Sequence, residues 1–191
     1  MSPRRLLLDK CLQYFLEHGI ANLSLRPLAE ATGTSARMLL HHFGSKEGLI
    51  TAVMEQARAR LQSFFTSLAT GQSNTDSTQL MRAFWKLTTS RKYRPYMRLL
   101  FEVQILALQN PGRYKRYLTE TSKSWMELVQ RALPKRTRTA VMATLSTAVL
   151  DGLLLEYLST GDLSRTSDAV EVFLELVGSP LRPRTGKGTR A

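Results

Sequence analysis

Residues 25–46 read LRPLAEATGTSARMLLHHFGSK. They divide into two short helices joined at Gly33-Thr34-Ser35, which is the spacing of a helix-turn-helix. Each position has a physical reason. Ala29 is small, so the second helix can approach closely. Gly33 can take a positive φ in the sharp turn. Leu28 and Leu39 can bury between the helices. Ser35 offers an N-cap oxygen to the second helix, whose first turn then faces outward, as a helix entering a major groove requires. Thr32 and Thr34 stand where apolar residues are commoner in this motif. An ordinary helical hairpin is the alternative reading of this stretch taken alone.

The flanks are helical as well. Leu8, Cys11, Leu12 and Phe15 fall at i, i+3, i+4 and i+7, one apolar stripe that ends at Gly19. Ser24 offers a cap to the first motif helix, with Pro27 inside its first turn. Ser45 offers one to a fourth helix, with Glu47 in its first turn and Gly48 where a capping box would need Glu or Gln. Further on, Ile50 to Leu68 suits one long helix, and Thr70 to Thr78 reads as a loop. Two helices around Phe84 and Met97 break near Pro95, and Asn110-Pro111-Gly112 signals a turn. Another stripe runs from Tyr114 to Leu128 and ends near Pro134. A long helix follows to Gly161, then a last one around Val170 to Val177. About nine helices and no strand pattern predict an all-α fold. It comprises a helix-turn-helix domain over 1–46, a larger helical domain over 47–178, and a basic tail over 179–191 that reads as disordered.

The 191 residues carry a formal net charge of +12, which suits a polyanionic partner. The charge is concentrated between 81 and 140, where fourteen Lys and Arg stand against three acidic residues, +11 in all. A DNA-binding reading therefore rests on the motif and not on the charge. The single cysteine, Cys11, excludes an internal disulfide and fits a reducing compartment. No apolar run reaches the roughly 18–20 residues of a membrane span, so a cytoplasmic protein with no membrane partner is expected. There is no Gly-rich phosphate loop, no nucleophile elbow and no zinc spacing, so no catalytic residue, cofactor or metal is expected. His41 and His42 are adjacent on a helix and point about 100° apart, unsuited to one ion.

From Leu7 to Ile50 the chain resembles the N-terminal domain of the TetR family of bacterial regulators. The residues that carry the resemblance are Phe15, Glu17-His18-Gly19, Ser24-Leu25-Arg26, Leu28-Ala29, Gly33-Thr34-Ser35, Leu39 and the run His41 to Glu47. The resemblance implies a homodimer that holds double-stranded operator DNA and releases it when a small-molecule effector binds, most simply as a repressor. It implies that Arg26 approaches phosphate or a base edge, and that Ser35, Ala36, Arg37, Met38 and His41 lie at the DNA-facing start of the recognition helix. His42 stands where relatives often have a phosphate-binding Tyr, Leu40 replaces another frequent Tyr, and Lys46 would meet phosphate. A helical binding or adaptor module without DNA function is the competing class.

Two further expectations come from composition. Residues 81–140 hold both tryptophans and four tyrosines, and aromatic and Met side chains line small-molecule pockets. Trp85, Met97, Phe101, Tyr117 and Trp125 are the expected ligand contacts, and the +11 of this segment favours a neutral or anionic ligand over a cation. The late helices are apolar on more than one face, so Leu150, Leu153, Leu154 and Tyr157, with Val170, Phe173, Leu174 and Val177, are expected to form a two-fold interface.

Overall fold

The computed structural model describes residues 2–70, 77–133 and 137–178. The expected basic tail lies outside the described residues, as does most of the loop expected over 70–78. Among the described residues there are nine α-helices: α1 Pro3–His18, α2 Leu25–Thr32, α3 Ala36–Phe43, α4 Lys46–Thr70, α5 Ser77–Thr88, α6 Arg94–Gln109, α7 Pro111–Ala132, α8 Ala140–Thr160 and α9 Leu163–Gly178.

Local chemistry sets most of the helix ends. Pro3, Pro95 and Pro111 each stand in a first turn, where a missing N–H costs nothing. Ser35 Oγ accepts from the Met38 N–H at 3.2 Å, Ser45 Oγ from Gly48 at 2.9 Å, and Thr139 Oγ1 from Met142 at 3.1 Å. The Asp162 carboxylate does the same for the Arg165 N–H at 3.0 Å and opens α9. Ser24 occupies the N-cap of α2, but its hydroxyl makes no cap bond, contrary to expectation. The expected turn at 110–112 shrinks to one residue: Asn110 closes α6 and opens α7, and Pro111 and Gly112 already belong to α7.

Two apolar cores follow. The first joins α1, α2 and α3 to the first half of α4 and reaches Leu99, Val103 and Ala107 on α6 and Tyr114 and Tyr117 on α7. Leu12, Phe15, Leu28 and Leu39 are fully buried there, each contributing about 1.5–3 kcal/mol. The second core gathers α5, α8, α9 and parts of α4, α6 and α7 around Trp85, Leu154, Phe173 and Leu174. The long helix α4 and the pair α6–α7 contribute side chains to both cores.

Residues Ala140–Thr160 correct one expectation. With a mean hydropathy of 1.4, α8 is long and apolar enough to cross a membrane, although its run is interrupted by Ser, Thr and two acidic residues. Here it packs against α6, α7 and α9.

Candidate nucleic-acid interface and ligand cavity

The turn between α2 and α3 is built as its sequence requires. Gly33 sits in the left-handed region with φ +72°, and its N–H and that of Thr34 return to Glu30 O and Ala29 O. The departure at Thr32 also has an explanation. The side chain is buried, its hydroxyl donates to Leu28 O at 2.7 Å, and its carbonyl accepts from Lys10 Nζ at 3.0 Å. A polar residue thus costs little, and α1 clamps the end of α2 through a cation at the negative end of its dipole.

On α3, Leu39 and Phe43 turn inward, while Arg37, Met38, Leu40 and His41 are exposed and Ala36 is half-buried. Ser35 is spent on the cap. Lys46 is exposed at the start of α4. Arg26 is exposed and paired with Glu30 at 3.4 Å, a weak surface ion pair that an incoming phosphate can replace. His42 is half-buried against the Phe43 ring, and its carbonyl accepts from Arg4 Nε at 3.3 Å. The guanidinium of Arg4 also lies 5.1 Å from the centre of the Phe43 ring. Arg4 and Lys10, which brace the reading unit from α1, escaped the sequence reading because their partners lie more than twenty residues away.

Trp85, Met97, Phe101, Tyr117 and Trp125 are brought together around one cavity of about 400 Å³, within the range of small-molecule sites. Thr147, Leu150, Asp151 and Leu154 supply the wall from α8, at i, i+3, i+4 and i+7. Trp85 is held by a bond from its Nε1 to Ser167 Oγ at 2.9 Å. The +11 of residues 81–140 does not reach this wall. None of its described lining residues is Lys or Arg, and the one charged group among them is Asp151, which the sequence reading did not place at a ligand site. Three of the basic residues are engaged outside: Arg82 with Glu171 at 2.7 Å, Arg98 with Glu102 at 3.4 Å and Arg131 with Glu127 at 3.5 Å. Net charge summed over a segment therefore misjudged the cavity's own field. Among the described residues no cluster of three His, Cys, Asp or Glu could hold a metal ion.

Of the eight residues expected at a two-fold interface, seven are buried within this chain's own core: Leu150, Leu154, Tyr157, Val170, Phe173, Leu174 and Val177. Leu153 is half-buried beside them. They are therefore unavailable to a partner. The apolar side chains left exposed are instead Val141, Leu145 and Leu155 on α8 and Val172 and Leu176 on α9.

The cavity and the reading unit meet through α6. Leu100, Phe101 and Gln104 line the cavity, and on the same helix Glu102 accepts from the Ile20 N–H at 2.7 Å. Arg98 donates to Leu16 O at 2.8 Å, so one turn of α6 grips the last turn of α1. A second tie runs from Arg113 on α7 to Glu47 on α4. A bond from its own backbone N–H holds the Glu47 carboxyl below the usual range, and the Arg113 guanidinium adds to this.

The family model described as bacterial regulatory proteins, tetR family, matches residues 7–53. The transcriptional repressor AcnR of Corynebacterium glutamicum is 40% identical over 60 residues, 31% of this chain and 32% of the repressor. The regulatory protein RaaS of Mycobacterium tuberculosis is 29% identical over 124 residues, 65% of this chain and 50% of RaaS. The chain thus spans between a third and a half of the length of these curated relatives. Over the whole fold it is similar to the multidrug binding protein EbrR complexed with proflavin, with 26% identity, a TM-score of 0.66, and coverage of 92% of this chain and 99% of EbrR. The helix-turn-helix is thus matched from end to end by the model of the TetR family of bacterial regulatory proteins, and the remaining helices are arranged as in EbrR.

Proposed function

We infer that this chain is a homodimeric, cytoplasmic repressor that holds double-stranded operator DNA with its two α3 helices and releases it when a small organic ligand fills the cavity. The observation that carries this reading is α6, whose one face lines the cavity while its Arg98 and Glu102 grip α1 of the reading unit. A ligand that shifts this helix shifts the helix-turn-helix with it. The similarity to AcnR, a transcriptional repressor, and to EbrR, a multidrug binding protein seen with proflavin, supports repression and a ligand. The interface is assigned to the exposed apolar stripes of α8 and α9, with a second copy as the occupant.

In this reading Arg37 makes a bidentate contact to guanine, Ala36, Met38 and His41 face base edges, and Arg26, His42 and Lys46 meet phosphates. Fluorescence anisotropy on the protein's own promoter, with a salt titration, tests it. Arg37→Ala should cost about 1–3 kcal/mol and relax one base position, while Lys46→Ala should weaken all sequences alike and lower the salt slope by about one. If both variants bind like the parent, α3 is not the reader.

A further inference from the structure

The cavity wall holds one carboxylate, from Asp151, and no described base. Among the described residues nothing donates a hydrogen bond or ion pair to it. Several charged groups of the helices packed around it are engaged elsewhere: on α7, Glu127 with Arg131; on α8, Glu156 with Arg165; on α6, Glu102 with Arg98; Lys123 on α7 is exposed and is not among the lining residues. Asp151 is exposed to solvent and lines the cavity, and desolvation by the surrounding protein pushes its carboxyl up to about 6. At neutral pH it is an anion with no described countercharge, solvated by water. Filling the cavity displaces water from beside it.

What replaces the water decides which ligand binds. A neutral ligand takes water from the carboxylate and returns no countercharge, which is unfavourable. An anion adds repulsion. A cation supplies the missing countercharge, and Trp85, Trp125 and Phe84 line the same cavity, where aromatic rings favour a delocalised positive charge. The volume admits two or three fused rings. We propose that the cavity takes a monovalent aromatic cation whose positive centre sits against the Asp151 carboxylate. This deepens the ligand-responsive reading above and rests on it.

Three probes of one size and different charge test the proposal on the full chain: 1-methylquinolinium, 1-methylnaphthalene and 1-naphthoate. Titration calorimetry at pH 8 gives their affinities, and quenching of the two tryptophans, both in the wall, reports the site. The cation should bind at least about tenfold more tightly than either other probe. Asp151→Asn should remove that preference, and Asp151→Glu should keep most of it. Because the probe's charge is fixed, its affinity should also fall as pH drops through about 6 and the carboxyl takes up a proton. Tyr117, the other ionisable group in the wall, has a phenol raised by burial and stays neutral throughout. Equal affinities for the three probes, no binding of any, or an unchanged preference in Asp151→Asn would each overturn the proposal. Promoter anisotropy on the same preparations separates the two claims. Operator release by the neutral probe leaves the regulator reading standing and removes the charge assignment. Cation binding through Asp151 by a protein that never holds its promoter does the reverse.

Discussion

Gly48 has no room for a side chain. A Cβ there would lie 2.2 Å from the carbonyl oxygen of Phe43, the last residue of the recognition helix. A backbone atom cannot swing aside, so Gly48→Ala must push α3 away from α4. Alanine's better helix propensity offsets about 1 kcal/mol at most. The net effect expected is a loss of about 1–3 kcal/mol in urea unfolding, with weakened operator binding in the surviving folded fraction. From the sequence Gly48 looked like a missing capping-box residue, because the contact it permits crosses between two helices. Asp151 was hidden in the same way. Its spacing with Thr147, Leu150 and Leu154 is visible in the sequence, but only the packed cavity shows what that face of α8 encloses. A carboxyl raised above its unfolded value opposes folding at high pH, and the penalty is relieved as pH falls through about 6. Asp151→Asn should therefore melt above the parent at pH 8 and level with it near pH 4, which calorimetric scans at the two values would reveal.

Among the elements, the helices with strong stops were legible. Gly19, Gly33, Gly44 and Gly161 mark the ends of α1, α2, α3 and α8, and each lies where the backbone needs a residue tolerant of positive φ. The ties between helices were not legible, since a hydrogen bond spanning 82 residues leaves no trace in local periodicity. The grip of α6 on α1 is the tie with the clearest functional consequence. Glu102→Ala removes the acceptor for the Ile20 N–H and the partner of Arg98, costing about 1–3 kcal/mol of stability. Its sharper effect should be on coupling. A ligand that fills the cavity should still bind, as tryptophan quenching would report, but should weaken operator binding by a factor at least about threefold smaller than in the parent. Coupling between two sites is reciprocal, so operator DNA should lose its effect on ligand affinity by the same factor. Full release in Glu102→Ala would show that the signal travels by another route, for which the Arg113–Glu47 tie and the shared helix α4 are candidates.

At the scale of the whole molecule, the excess of apolar residues in the late helices pointed to a partner surface, but hydrophobicity alone chose the wrong side chains. The residues that looked most apolar in sequence fill this chain's own core, and periodicity cannot tell a core stripe from an interface stripe on a helix apolar all round. Exposure separates them. Val141, Leu145, Ala148, Gly152 and Leu155 follow at i, i+4, i+7, i+11 and i+14 and all face outward, with Val172 and Leu176 exposed on the adjoining α9. Nothing lies near a Cβ built on Gly152, so a second helix can come close there. Leu155 is 49% and Val172 58% exposed, so charging them disturbs a surface and not the core. The double variant Leu155→Glu, Val172→Glu should keep its helicity and melt near the parent, but sediment as a monomer at micromolar concentration. Operator affinity should then fall by about 100-fold or more, because two half-sites are no longer held by one linked pair of readers. A variant that stays dimeric would move the interface off α8 and α9. One that becomes monomeric yet binds its operator undiminished would show that each subunit reads DNA alone.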